Sequence, residues 1–347
     1  MMQQRILGWA VAAVLAVGLS AAPSLAEEVT LGAPAVITNA PFFIAEANDY
    51  FKDQGITLRI VEFDSAAKMI PSLGTGELDV GAGAPSVGLY NAVARGVDIK
   101  IVADKGHVPP GYPWQAFMLR KPLFDSGKVK SFKDWKGLRV ATAAKGATET
   151  AVLDVALASG GLTLKDVSEV FLAFPEQAIA FANGGIDASL TTEPTITYIV
   201  QAGTAVRFAG VDTVYPNHET AVVLYGGPFI EKRRETAKKF MVAYLRGVRF
   251  YDDSLAKGHI AGPNADQVIS ILSRYAKVKD PAIYHKAIAS VCDPDGKLDM
   301  ASLRKDLQFF EGRGDIDGKV TLDRVVDSSF AQAAVAQLGP YRGAALK

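Results

Sequence analysis

One cysteine, Cys292, and four scattered histidines are the whole supply of thiol and imidazole metal ligands in the chain. A lone thiol excludes an intrachain disulfide framework and any thiolate-held metal cluster. His107, His218, His259 and His285 show no ligand spacing, so no metal and no cofactor is expected. Excess charge of either sign is missing too. Lys and Arg number 37 against 37 Asp and Glu, so no overall field draws the chain to nucleic acid or to an anionic membrane surface. Long apolar runs are missing after Ile6–Ala22, since nothing further along approaches the ~18 residues of a membrane span. That one run follows "MMQQR" and precedes "SLA" at Ser24–Ala26, the layout of a secretory signal peptide cleaved after Ala26. An uncleaved anchor is the alternative, but the run is of marginal length for a hydrocarbon core of ~30 Å. No cysteine stands at the cleavage region, which argues against a lipid tether. Residues 27–347 are enough for two lobes, and their stability must come from the core.

What the chain does have is alternation. Short apolar runs at Val29–Val36, Ile56–Phe63, Leu78–Gly81, Ile99–Ala103, Leu138–Ala143, Glu169–Phe174, Ala188–Leu190 and Val206–Ala209 read as strands. Helical stretches such as Pro41–Gln54 and Thr148–Ser159 separate them, which predicts α/β units on largely parallel sheets. The pattern also repeats. "LGTGELDVGAGAPS" (Leu73–Ser86) aligns with "FANGGIDASLTTEP" (Phe181–Pro194), placing Gly76 over Gly184 and Asp79 over Asp187. After a one-residue shift Gly96 falls over Gly203. A period this long predicts two similar lobes rather than a solenoid. Two extended runs, Trp114–Lys121 and His218–Gly227, read as the crossings between them, and after the second the chain turns mainly helical.

Each half contains two places where a strand ends in a small-residue loop that opens a helix: "TNAPFF" and "GAGAPS", then "AKGATE" and "TTEPT". A helix start leaves unpaired N–H groups and a partial positive charge. Parallel sheets present such starts at the carboxyl ends of their strands, where ligands bind. Four of them converging would make a polar cleft able to hold a small dehydrated anion, and Lys145 is the sole cation in the four loops.

The order "PFFIAEANDYFKDQGITLRIVEF", "GTGELDVGAGAPSVGLYNAVARGVDIKIVA", "WKGLRVA", "GGLTLKDV" and "GGIDASLTTEPT" resembles the periplasmic substrate-binding proteins of nitrate/sulfonate/taurine ABC importers. That family includes pyrimidine-precursor binders related to thiamine-pyrimidine synthases. The resemblance covers roughly Val29 to Tyr251. It implies an α/β, two-lobed clamshell of the type II periplasmic-binding-protein class, each lobe a mainly parallel sheet flanked by helices, with a helical C-terminal extension. The implied divisions are a signal peptide at 1–26, a first lobe begun by 27–115, a second lobe at 116–220, and a return to the first lobe at 221–347. The implied function is a monomeric periplasmic receptor that delivers a small organic solute to an ABC permease. A pyrimidine-type heterocycle, or a role as ligand sensor for a signalling receptor, are the alternatives.

By position the resemblance puts the ligand among Asn39, Pro41 and Phe42; Ala84 and Ser86; Tyr112 and Trp114; Gly146, Ala147 and Thr148; Thr192 and Glu193; and His218 and Glu219. Each has a plainer reading. Phe42 faces the cleft or the core, Trp114 is a platform or a hinge residue, and Ser86 and Thr148 bind or only cap helices. His218 is a ligand contact or a hydrogen-bonded edge residue. Glu193 carries most weight, because a carboxylate aimed into the cleft repels a bare oxyanion and favours a solute with a donor; if it only caps its helix, that inference weakens. Catalysis is not expected. The lysine and histidine of the related synthases are replaced by Gly83 and Val87, their cysteine-rich loop has no counterpart, and no Gly-x-Ser-x-Gly elbow is present.

Overall fold

The computed structural model describes residues 26–34 and 36–343. The expected signal peptide lies outside them apart from Ala26. Ten strands build the two sheets: β1 Glu27–Ala33, β2 Ile56–Glu62, β3 Val80–Gly83, β4 Ile99–Val108, β5 Gln115–Arg120, β6 Arg139–Thr142, β7 Ser168–Phe171, β8 Ala188–Thr192, β9 Ala205–Gly210 and β10 His218–Gly226. One sheet runs β2-β1-β3-β10-β4 and the other β7-β6-β8-β5-β9. In each, one strand opposes its neighbours: β10 is antiparallel to β3 and β4, and β5 is antiparallel to β8 and β9. The two sheets therefore share a single topology.

The duplication read from the sequence has a physical counterpart in this topology. Asp79 accepts from the backbone N–H of Thr30 at 2.9 Å, and Asp187 from that of Arg139 at 3.1 Å. Each carboxylate thus ties its own strand to the start of the neighbouring one. Each is also paired with arginine, Asp79 with Arg233 and Asp187 with Arg139 and Arg120. The aligned glycines agree as well. Gly76 and Gly184 have φ of +83° and +72°, and Gly96 and Gly203 have +91° and +67°, a left-handed turn conformation that glycine adopts without steric cost.

Both runs expected to be crossings are instead full strands inside the sheets, β5 and β10. The chain passes between sheets just ahead of them, at 109–114 and 211–217. An extended apolar run looks the same locally whether it links two units or fills a sheet, and here the fully buried interior of β10 marks the second case.

Beyond β10 the chain is helical at Arg234–Asp253, Ala265–Tyr275, Pro281–Lys286, Met300–Gly312 and Ser329–Leu338. The first and last of these cover one face of the first sheet. Phe240, Tyr244 and Phe330 pack there with Phe42, Val29 and Tyr225. Leu303, Leu307 and Phe310 of Met300–Gly312 cover the opposite face with Leu89 and Tyr90. The edge strand β4 is covered too, through Asp104 N–H to Gly296 O and an isolated pairing of His107 with Val291, which shields that edge from pairing with a second chain. Met300–Gly312 also reaches the second lobe, where Asp306 accepts a 2.9 Å hydrogen bond from the Tyr215 hydroxyl.

Candidate ligand site between the lobes

The two sheets face each other across the carboxyl ends of their parallel strands, and backbone contacts join them there. Ser86 and Ala147 form an isolated antiparallel bridge, and the Val87 N–H donates to Gly146 O at 2.8 Å. A longer contact, 3.5 Å, runs from the Ile37 N–H to Glu193 O. These are the loops the sequence singles out, now meeting in pairs across the cleft.

Behind them lies a cavity of about 40 Å³. Pro34, Val36 and Thr38 line it from the loop after β1, and Gly83 and Ala84 from the end of β3. The second lobe contributes Gln115, Glu149, Phe174 and Thr192, while Lys105 comes from β4 and Thr220 and Ala221 from β10. Small residues on the first lobe bring the backbone close to the occupant, and the charged side chains stand at the sides.

Lys105 is the cation of this cavity. It is fully buried, and its ammonium donates to Thr38 Oγ1 at 2.6 Å and Asn39 Oδ1 at 2.9 Å, both neutral acceptors. Burial pushes its pKa down to about 7, opposed by the negative character of Cys292 and Asp104. An ammonium held only by neutral groups in a dry site has capacity left for an anion. Asp104 does not supply it, because its oxygens accept from the Gly106 and Asp293 N–H groups.

Glu149 is the first residue of the helix Glu149–Ser159. It is buried, and burial raises its carboxyl pKa against the lowering influence of His218. Its Oε2 has no hydrogen-bond partner, and neither has Nε2 of Gln115 on the same cavity. An unmet acceptor and an unmet donor facing one space are what a polar solute completes. Thr220 Oγ1 lies 2.9 Å from His218 Nδ1 and 3.2 Å from Gln115 Oε1, and His218 Nε2 lies 3.0 Å from Asp306 Oδ2. The chain Asp306–His218–Thr220 thus ends on the cavity wall.

Residues 37–253, well over half of the chain, match the model of the family described as NMT1/THI5 like. The chain belongs to the NMT1/THI5-like family. A relative in Escherichia coli (strain K12), whose name provisionally assigns it the binding of aliphatic sulfonates, is 28% identical over 173 residues. That match takes in 50% of each protein, so the chain spans about half the length of the curated relative it matches. Among solved structures, the periplasmic nitrate-binding protein NrtA from Synechocystis PCC 6803 superposes with a TM-score of 0.72 at 16% identity, over 92% of this chain and 90% of that one. The desulfurization enzyme DSZB superposes with a TM-score of 0.61 at 14% identity, over 90% of this chain and 99% of that one. At these identities the likeness shows the fold, the two-lobed type II binding-protein arrangement with its helical C-terminal part. The same fold carries binding in one of these proteins and chemistry in the other, so function has to be argued from the cleft.

Among the positions that the resemblance to this family picked out, Ala84 and Thr192 line the cavity. Ser86, Gly146 and Ala147 form the backbone contacts in front of it. Ser86 also caps its helix, accepting from the Leu89 N–H at 3.2 Å. Asn39, Thr148 and His218 stand one step behind, Asn39 and His218 through Lys105 and Thr220, and Thr148 beside Glu149 in the chain. The rest sit elsewhere. Phe42 is stacked on Tyr244 at 4.5 Å in the first lobe's core, and Pro41 is buried beside it. Trp114 is 1% exposed and donates from its indole to His107 O, so it fastens the crossing at 109–114, and Tyr112 packs on the same cluster. Glu219 is buried against Asp104, and that burial, with the neighbouring charge, raises its carboxyl pKa well above the usual range.

Glu193 differs most from the sequence reading. Its Oε1 lies 3.0 Å from Arg207 Nη2, and its Oε2 accepts from the Thr197 N–H at 3.0 Å. The carboxylate is occupied by its own lobe, and the open carboxylate of the cleft is Glu149. Nor is the cleft free of side-chain cations beyond Lys145. Lys105 is visible in the sequence as a charged pair, "DK", inside the apolar run "IKIVADKGHV", and a charge in a buried strand is the signal that could have found it.

Proposed function

We propose that the protein is an extracytoplasmic solute-binding receptor that hands a small organic solute, bearing both an acidic group and a hydrogen-bond donor, to an ABC importer. One observation carries this reading: a buried lysine without an acidic partner and a buried glutamate with an open oxygen share one cavity between two lobes. A zwitterion, or a sulfonate or carboxylate that also carries an amine, amide or hydroxyl, meets Lys105 with its acid and Glu149 with its donor. A bare oxyanion meets only the first. Contacts on both lobes give the solute a differential affinity for the closed arrangement, which is what lets binding close a clamshell.

In this reading residues 1–26 are removed on export, 27–108 and 218–347 form the first lobe, 109–217 form the second, and the receptor works in the periplasm as a monomer. Its partner is a membrane permease, and deletion of the gene abolishes uptake of the solute.

The test is a thermal-shift and calorimetry panel on the chain from Glu27, unfolded and refolded to strip bound solute. It contains taurine, alkanesulfonates, aromatic carboxylates, aminopyrimidines and nitrate. A ligand at a hundred times its Kd adds about 2.7 kcal/mol to the folded state, a shift easily measured. Binding among the acid-bearing organic solutes supports the reading. Nitrate alone would remove Glu149 from recognition, and silence across the panel would remove the receptor. Binding of aminopyrimidines would point to the heterocycle alternative, which the Phe174 ring and open Glu149 oxygen on the cavity favour.

A second reading is catalytic and rests on the Asp306–His218–Thr220 chain, the linkage that activates a hydroxyl as a nucleophile. If it operates, the refolded chain hydrolyses a small activated ester such as p-nitrophenyl acetate, and Thr220→Val stops it. We expect no turnover above that of the variant, with ligand affinity the property that Thr220→Val changes.

A further inference from the structure

His218 is fully buried, and both of its ring nitrogens are engaged. Nε2 lies 3.0 Å from Asp306 Oδ2, and Nδ1 lies 2.9 Å from Thr220 Oγ1. The other Asp306 oxygen accepts from the Tyr215 hydroxyl at 2.9 Å, so both carboxyl oxygens face a partner. Thr220 Oγ1 in turn lies 3.2 Å from Gln115 Oε1, a contact that passes from β10 in the first sheet to β5 in the second. Of the polar side-chain atoms in this linkage, Gln115 Nε2 is the one without a partner. Gln115 and Thr220 both line the cavity.

Counting protons decides which way that amide faces. A threonine hydroxyl has a single hydrogen to give. If His218 Nδ1 accepts it, Thr220 can only accept from Gln115, and the amide must turn its nitrogen to Thr220 and its oxygen to the cavity. If Nδ1 carries its own hydrogen, Thr220 donates to Gln115 Oε1 and Nε2 is left for the cavity. Another acceptor near the hydroxyl, His218 O, is farther away at 3.5 Å. The first arrangement leaves the Asp306–His218 pair with one proton and a net negative charge. That charge would be fully buried, and close enough to Glu149 for the two to feel each other. Lys305 does not offset it, because its ammonium lies over the Tyr215 ring, 3.8 Å from the ring centre, rather than on Asp306. The second arrangement leaves the pair with two protons and no net charge. A dry site favours the second.

We propose that His218 is a positioning residue for the cleft: with Nδ1 protonated, it fixes the Thr220 hydroxyl on Gln115 Oε1 and so holds the Gln115 amide N–H toward the occupant. This rests on reading the cavity as a solute site, and it specifies how that site tells an acceptor from a donor. Lys105 attracts negative charge from any direction. A fixed amide N–H on the same small cavity also disfavours a solute group that brings its own hydrogen to that place. A donating Nδ1 is no base for the Thr220 hydroxyl either, so the arrangement that orients Gln115 leaves the hydroxyl unactivated.

The first measurement is a long-range proton–nitrogen correlation spectrum of the isotope-labelled, refolded chain from Glu27, with His218 assigned by the signals lost in His218→Gln. Nδ1 is bonded to hydrogen in the expected result. A bare Nδ1 reverses the amide and overturns the proposal, and this result needs no substitution at Thr220. Calorimetry then compares methanesulfonate, which carries only acceptors, with methanesulfonamide, which has a donor in place of one oxygen. Thr220→Val breaks the linkage and lowers the preference for methanesulfonate about tenfold, and Thr220→Ser, which keeps the hydroxyl, restores it. An undiminished preference in Thr220→Val overturns the proposal, since Thr220 would then only pack. If neither probe binds the wild-type chain, the Gln115 side-chain amide signal separates the two readings. Should it move in Thr220→Val and not in Thr220→Ser, the receptor fails and the positioning stands; should it move in neither, both fall.

Discussion

Lys105→Met abolishes high-affinity binding of any acid-bearing solute, by about a hundredfold or more, while leaving the protein at least as stable. The loss follows from removing a charge-assisted contact in a dry site, worth about 1.5–3 kcal/mol, together with the Coulomb attraction that accompanies it. Stability does not fall, because the native ammonium is buried against neutral acceptors, and methionine fills a similar volume without a charge to desolvate. Calorimetry and denaturant unfolding on the same preparation check both halves, and equal affinity in the variant would remove Lys105 from the site.

The same residue sets a pH dependence of definite sign. Lys105 has a pKa of about 7 in the folded chain and its ordinary 10.5 when unfolded. Between those values the unfolded chain binds more protons, so this group makes stability rise as pH rises from about 7 towards 10.5. The rise is absent in Lys105→Met. Affinity for an anionic head runs the other way. It is full below about pH 7, where Lys105 is already charged, and falls by up to tenfold per pH unit above it, since binding must then recharge the amine. A zwitterionic solute titrated calorimetrically from pH 6 to pH 9 shows this slope, and a flat profile would mean that another group holds the acid.

Arg207→Ala destabilises the second lobe by about 3 kcal/mol in denaturant unfolding, the low end of what stranding one partner of a buried pair costs. The low end applies because Arg207 keeps 28% of its side chain exposed, whereas Glu193 has none. The guanidinium ties β9 to the start of the helix Thr195–Gln201 and also donates to Pro113 O at the crossing. Adding Glu193→Gln recovers part of the loss, because a neutral amide no longer needs the cation. Glu193→Gln alone leaves ligand affinity within about twofold, measured against Glu149→Gln, which weakens an amine-bearing solute by about tenfold. The reverse ranking would return Glu193 to the cleft.

Such pairings mark where the sequence stops being legible. Strands β1 to β4 and β6 to β9 are readable because each is a short apolar run between turn residues. The duplication is readable because Asp79 and Asp187, and the glycines beside them, do the same backbone work at the same offset. The four loops are readable because a small-residue loop after a strand is a local pattern. Lys105, Gln115 and Thr220 reach the cavity only through sheet pairing, β4 with β10 and β5 with β8, which no window of sequence contains. Phe42 misled because the first turn of a helix at the cleft has a core face as well, and Glu193 because its cation lies fourteen residues on, on another strand.

Where the chain leaves the first sheet, Val108 stands opposite His218 in register, and at the matching place in the second, Ala116 stands opposite Gly210. Each pair is close enough to be closed by a tight turn. Residues 109–217 are thus inserted between two hydrogen-bonded strands, and the second lobe is a cassette whose ends already meet. Half of the cleft can therefore be exchanged between relatives at two points, carrying Gln115, Glu149 and Phe174 together and leaving Lys105 and Thr220 in the host. For the proposed receptor this makes the chemistry of the solute's donor end a property that moves as one block, separately from the residue that grips its acid.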